Sequence, residues 1–307
     1  MLVVNISDQL GNQMFAYAAI RTLAEQKGYD FGFIRAHNDR INDTDHKYGN
    51  EIHTIFPQTR QNFLEKLPDT VVHTYHEQIQ PGDPLFYNED VAHIEDNTYL
   101  IGHFISYKYL HSYIDEVRKW FTFPQDISDR CQTRIASVRK KYPDKKLIAI
   151  HFRVGDDYLK QGFLLQSSYW IHAADYILQL YGRENVIFLP FYDRKQKKGG
   201  IVNYFFQHYP CEDIRGTLVE DMCSLSLLEN LIVCNSSFSA MAGILNQVPD
   251  HLIIRPSSYP AGSGYLPTDC FPEEWISIPA RKSFRSRLNY RSMQLKGFLL
   301  KGLKRKH

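Results

Sequence analysis

Apolar positions along the chain fall in short unbroken runs, separated by longer stretches where they recur every third or fourth residue. The runs Leu2–Ser7, Phe31–Ile34, Thr98–Phe104, Lys146–His151, Asn185–Pro190, Leu231–Cys234 and His251–Ile254 read as buried strands. Gln13–Gln26, Tyr107–Trp120, Asp126–Tyr142, Ser168–Tyr181, Glu220–Glu229 and Phe238–Asn246 read as helices. Gly28 stands where a C-cap glycine would end the first helix, and Asp126 and Pro143 bracket the third. Residues 36–97 are polar, with scattered His and Pro, and sustain no period. Strands alternating with helices imply an α/β fold of parallel sheets joined by crossovers. The 307 residues suit two domains, each of about 150 residues. We place the boundary after residue 144, near Pro143–Lys146.

Composition excludes several classes. At 43% hydrophobic and 23% charged residues the chain is ordinary globular material. No apolar run approaches the roughly 20 residues of a membrane-spanning helix. The opening MLVVNISDQLGNQ lacks the basic region of a signal peptide. The cysteines (Cys131, Cys211, Cys223, Cys234, Cys270) are odd in number and show no metal-ligand spacing, as expected of thiols in a cytoplasmic protein.

The formal charge of +2 conceals a segregation. Ten of the 36 bases and none of the 34 acids lie in 281–307, so the body carries 26 bases against 34 acids. An acidic body argues against nucleic-acid binding. In the tail Leu288, Leu295, Leu299 and Leu303 share one helical face among basic residues. That pattern fits a helix lying on an anionic membrane surface, which would make the protein peripheral at the inner face, or a helix packed on the body.

Ligands of open α/β sheets bind beyond the carboxyl ends of strands, and three such loops carry unusual residues. In Asp8-Gln9-Leu10-Gly11-Asn12-Gln13, Gly11 allows close backbone approach and the N–H groups from Asn12 onward could meet an anion; a tight turn with a polar cap is the alternative. In His151-Phe152-Arg153-Val154-Gly155-Asp156-Asp157, His151 and Arg153 share one side of an extended segment. Arg153 could grip a pyrophosphate or pair internally with Asp156 or Asp157. In Cys234-Asn235-Ser236-Ser237-Phe238-Ser239, hydroxyls and helix N–H groups could bind phosphate, or a serine could simply cap the helix.

Together the blocks Gly11-Asn12-Gln13-Met14-Phe15 with Tyr17-Ala18, His151-x-Arg153-x-Gly155-Asp156, and Asp221-Met222 with Asn235-Ser236-Ser237-Phe238-Ser239 resemble the three motif regions of family-11 glycosyltransferases, the α-1,2-fucosyltransferases. The resemblance implies a GT-B-like fold, two Rossmann-type domains facing a cleft. It assigns 1–144 to the acceptor side and 145–280 to the nucleotide sugar. It further implies metal-independent, inverting transfer of fucose from GDP-fucose, with no cofactor, to a glycan acceptor. For bacterial members that acceptor would belong to a surface polysaccharide such as O-antigen or capsule and could be lipid-linked. Arg153 matches the pyrophosphate-binding arginine and Asn12 an asparagine reaching the donor across the cleft. Gly11, Gln13, His151, Asp193, Asp221, Ser236, Ser237 and Phe238 match positions around the nucleotide site.

The chain also departs from the family pattern. Asp8-Gln9 replaces a glycine pair, Val154 replaces a second arginine, and Ala240-Met241 replaces a tryptophan pair. These changes leave open another nucleotide-sugar donor, or a noncatalytic relative that binds nucleotide or glycan. For the base that activates the acceptor, the candidates are Asp8, Asp156 and Asp157, although Asp156, following a glycine, is better suited to holding Arg153 or its loop in place. Asp43-Thr-Asp45 has a metal-binding pattern but lies in a polar stretch, so no metal is expected.

Overall fold

The computed structural model describes residues 1–35, 51–77, 86–193, 200–261, 264–266 and 268–280; for Asp156, Asp157, Gln161 and the described residues of 259–266 it describes the backbone alone. Strand β1 (Leu2–Asn5) leads through helix α1 (Leu10–Lys27) to β2 (Phe31–Ile34). The short α2 (Ile52–Ile55) precedes β3 (His73–His76) and β4 (Thr98–Ile101), and α3 (Ile114–Trp120) and α4 (Gln125–Lys141) follow. In the second half come β5 (Lys146–Phe152), α5 (Asp156–Gln161), α6 (Ser167–Tyr181), β6 (Val186–Tyr192), α7 (Gly200–His208) and α8 (Leu218–Ser226). Then β7 (Asn230–Ile232), α9 (Ser237–Ile244), β8 (Leu252–Pro256), the hairpin β9 (Tyr259–Ala261) and β10 (Gly264–Leu266), and β11 (Ile276–Ile278) complete the described chain.

Two parallel sheets result, ordered β2-β1-β4-β3 and β11-β8-β7-β5-β6. This is the α/β architecture with two Rossmann-like sheets that the alternation predicts. In the first sheet the order reverses between β1 and β4, and in the second between β5 and β7. Crevices at such switch points are where open α/β sheets take ligands. The loops after β1, β5 and β7 open there, and they are the three that the sequence singles out.

β5 and β6 are buried from Leu147 to Phe152 and from Val186 to Tyr192, which is why they read as unbroken apolar runs. α1 is buried on every side from Gln13 to Ile20 because it packs against the first sheet and also against α9. Its predicted C-cap is present: Gly28 adopts φ 68° and its N–H faces the carbonyls of Ala24 and Glu25. No helix among the described residues is long and apolar enough to cross a membrane, and all five cysteines are free thiols.

Several boundaries differ from the expectations. α1 begins at Leu10 rather than Gln13, with Gln9 as N-cap making no side-chain cap bond, so no local signal marks the start. The stretch from Tyr107 is two 3-10 turns, Tyr107–Tyr109 and His111–Tyr113, ahead of α3, because Leu110 is buried in a non-helical conformation between them. α4 is capped at Pro124, and Asp126 lies in its first turn paired with Arg130 at 2.8 Å. β3, with the sequence HTYH, is an edge strand bonded to β4 alone, so it carries no apolar period.

α4 also makes contacts with the second half of the chain. Arg130 Nε and Arg134 Nη2 reach the two carboxylate oxygens of Glu220 on α8, at 2.7 and 3.1 Å. Cys131 Sγ donates to the Glu220 carbonyl at 3.3 Å. These contacts join α4 to the helices of the second sheet.

Candidate functional site

The β1–α1 turn and the β7–α9 turn touch. A Cβ built on Gly11 would stand 2.4 Å from Phe238 N and 2.5 Å from Ser237 C. The close approach that Gly11 permits is therefore taken up by the start of α9 and not by a ligand. Beside it, Ser237 Oγ donates to Asn12 Oδ1, joining residues 225 apart in sequence. The partner that Asn12 meets there is Ser237.

The early start of α1 corrects the anion site expected at Asn12. The N–H groups of Asn12 and Gln13 donate to the Gln9 carbonyl at 2.9 and 3.1 Å, inside the first turn. Gln13 is buried; its amide donates to the Asp8 carbonyl at 2.8 Å and accepts from Ile52 N at 3.3 Å. It braces the turn from within rather than offering itself to a donor.

At the end of β5, His151 is buried and shares a 3.2 Å hydrogen bond between Nδ1 and Cys234 Sγ. Burial, helped by the charge of Arg153, depresses its pKa to about 3. Burial raises the Cys234 thiol to about 12, so the pair is neutral thiol and neutral imidazole. A histidine held this way is neutral near neutral pH. Its place is behind Phe238, with ring centroids 5.3 Å apart. Arg153 is half-buried at the carboxyl end of the strand, its guanidinium 4.7 Å from the centroid of Tyr158. Tyr158 in turn donates to the Asn235 carbonyl at 3.1 Å, tying the β5 and β7 loops together.

Asp193 follows β6 and is exposed. The register pairing Phe152 with Tyr192 sets Asp193 beside Arg153 in the row of strand ends. Asp221 lies in the first turn of α8, accepting from Gly216 N at 2.7 Å. Burial raises its pKa to about 6, against the pull of the Gly216 N–H and of Arg215 and Arg134. Ser236 is buried as the N-cap of α9, whereas Ser237 and Phe238 are half-exposed. The second sheet thus gathers Arg153, Asp193, Ser236, Ser237 and Phe238 near its carboxyl edge. The side chains of Asp156 and Asp157, Asp43-Thr-Asp45 and the tail 281–307 lie outside the described residues.

Some residues at this edge were not legible beforehand. Arg215 stacks on Tyr192 with 3.6 Å to the ring centroid, donates to the Tyr192 carbonyl at 3.1 Å and holds Asp213 through two nitrogens. In the first sheet, His103 Nε2 bonds Asp8 Oδ2. Asp8 lies three residues past β1 and His103 two residues past β4, yet His103 falls inside the predicted strand Thr98–Phe104. The clue would have been a polar side chain directly after Gly102 at the end of an apolar run.

The structure also accounts for two departures. Asp8 adopts φ 61°, a left-handed conformation that glycine takes without cost. Ala240 and Met241 are fully buried, so that step of α9 faces the core.

No protein-family model matches the chain, and no curated protein matches it. Solved structures with a similar arrangement include the fucosyltransferase NodZ from Bradyrhizobium, 14% identical over 80% of this chain and 93% of that one, TM-score 0.45. A glycosyl transferase family 9 protein from Veillonella parvula DSM 2008 is 12% identical over 95% of this chain and 88% of its own, TM-score 0.43. An Arabidopsis thaliana FUT1 variant in complex with GDP is 13% identical over 83% and 69%, TM-score 0.42.

Proposed function

We propose that the protein is an inverting glycosyltransferase that moves L-fucose from GDP-fucose to a glycan hydroxyl. The expected product is an α-1,2 linkage to galactose in a surface polysaccharide. The observation that carries this reading is the convergence of the motif loops: the turns after β1, β5 and β7, remote in sequence, meet at the switch points through Asn12–Ser237 and Tyr158–Asn235. Arg153 lies at this convergence, beside Tyr158.

Departure of GDP builds negative charge on the β-phosphate while the sugar gains oxocarbenium character. A fixed guanidinium meets that charge with paired donors and stays protonated at every working pH. Arg153 is assigned this role. Arg215, held by Asp213, adds a second cation beyond β6. The reading expects turnover indifferent to EDTA.

The test is GDP release from purified full-length protein and GDP-fucose, with EDTA, against GDP-mannose and UDP-sugars. Release from GDP-fucose alone, lost in Arg153→Ala, supports the reading. Release from another donor alone, or undiminished turnover in Arg153→Ala, overturns it. Binding of GDP-fucose with no turnover in the presence of a galactoside panel would identify a binding protein instead.

A further inference from the structure

Three loops end together at the carboxyl edge of the first sheet. Asp8 follows β1, Glu77 follows β3 and His103 follows β4, and these strands are neighbours in the order β1-β4-β3. Asp8 Oδ2 holds His103 Nε2. Glu77 Oε2 accepts from the backbone N–H groups of both His103 and Phe104, at 2.7 and 2.9 Å.

This arrangement is fixed tightly. A Cβ at Gly102 would stand 2.4 Å from Glu77 Cβ and 2.6 Å from its Oε2, so glycine is needed for the carboxylate to reach the loop. Asp8, and Phe104 next to His103, both adopt left-handed backbone, φ 61° and 50°. Such conformations are strained in a non-glycine residue and persist where the surroundings impose them. At the Asp8 position the strain brings a carboxylate that the expected glycine could not supply.

The pair is also open. The side chains of His103 and Asp8 are 43% and 33% exposed, unlike the buried His151. With Nε2 bonded to Asp8, His103 Nδ1 makes no hydrogen bond among the described residues and presents a lone pair. Hydrogen bonds run from the pair toward the other half: Asn12 bonds Asp8, and Ser237 donates to Asn12. The cluster therefore borders the crevice where the motif loops meet.

We infer that His103 is the general base for the acceptor hydroxyl, with Asp8 as the residue that orients it. The inference rests on the glycosyl-transfer reading and names a proton acceptor for it. In the step, the hydroxyl proton passes to His103 Nδ1 while its oxygen bonds the anomeric carbon from the face opposite the leaving group. The bond from that carbon to the β-phosphate oxygen breaks, and GDP leaves with the electron pair. Asp8 stabilises the imidazolium, which then loses its proton to solvent.

The electrostatics agree in direction. Burial disfavours the charged imidazole, but the bond and charge of Asp8, with the charge of Glu77, outweigh it and leave the His103 pKa raised. The bond from His103 holds Asp8 below the usual carboxylate range, reinforced by Asn12 and Ser7 and opposed by burial. Glu77 is raised by burial; among the described residues Tyr75 and Tyr109 feel its charge, and Asp90 and Asp269 act in turn on those tyrosines. Transfer should accordingly fall on the acid side of a raised histidine pKa.

The experiment compares wild type, His103→Gln and Asp8→Asn in transfer from GDP-fucose, GDP-mannose and UDP-glucose to lactose and methyl β-galactoside. Donor affinity is measured by calorimetry, and kcat is followed across pH. His103→Gln is expected to lose about 100-fold or more in kcat with donor Kd unchanged. Asp8→Asn should move the acid limb to lower pH, which a merely structural role would not do. Retention of kcat within threefold in His103→Gln overturns the base and leaves fucosyl transfer standing. Transfer from a different donor, with the same loss in His103→Gln, upholds the base and overturns the donor assignment. No transfer by wild type from any donor removes both.

Discussion

Gly11→Ala tests whether the contact between the helix starts holds the two halves in register. The added methyl would lie 2.4 Å from Phe238 N, 2.5 Å from Ser237 C and 2.8 Å from Phe238 Cα, where ordinary contact begins at 3.4 Å. The obstructing atoms are backbone, so α1 and α9 must separate by about 1 Å, stretching the Asn12–Ser237 bond. Overpacking of this kind costs about 1–3 kcal/mol. Replacing glycine by alanine inside a helix returns up to about 1 kcal/mol. The net expectation is a loss of about 1–2 kcal/mol, a fall of several degrees in melting temperature at about 2–4 °C per kcal/mol. Gly28→Ala is the control: it meets nothing within 4 Å and costs only left-handed strain of about 1–2 kcal/mol. Both variants should melt lower, so exchange of the Ala240 amide, which donates to the Ser236 carbonyl at 3.0 Å, separates them. Exchange should rise in Gly11→Ala and stay at the wild-type rate in Gly28→Ala. A Gly11→Ala protein that melts at or above wild type with unchanged exchange would refute the argument.

Two further outcomes follow from the ionisable groups of α8. Asp221 binds its proton more tightly folded, at about 6, than unfolded, at 3.8, so stability should decline as pH rises between those values. The decline is at most about 3 kcal/mol, less for the part of the carboxyl in contact with water. Asp221→Asn should flatten it in urea titrations from pH 4 to 7, and parallel curves for the two proteins would sink the assignment. Glu220 behaves oppositely. The Thr217 N–H and the guanidinium groups of Arg130 and Arg134 hold its pKa at about 2, below the ordinary 4.5, so its contribution is complete above 4.5 and lost as pH falls toward 2. Glu220→Gln should destabilise the protein at neutral pH by about 1–3 kcal/mol, measured as a lower urea midpoint, and should remove that acid-side loss. An unchanged midpoint would mean that the α4–α8 ion pairs contribute nothing.

The sequence by itself determined the features that depend on neighbours in the chain. The run KLIAIH could only be a strand buried on both faces, and Gly28 could end α1 because a left-handed cap is a property of one residue and its own helix. His-x-Arg after β5 and the Ser-Ser-Phe turn after β7 were legible for the same reason, since a strand end followed by a helix start is a local pattern. The tertiary structure alone decided what those turns do. Gly11 admits α9, Gln13 faces inward to Ile52, and His151 is neutral because burial outweighs its intrinsic basicity. β3 was invisible because an edge strand satisfies its backbone through a single neighbour and needs no apolar period. The pairing of His103 with Asp8, 95 residues apart, exists only because β1 and β4 are adjacent in the sheet. Local preference reaches a few residues along the chain, whereas the strand order that brings these side chains together is set by the burial of whole sheet faces.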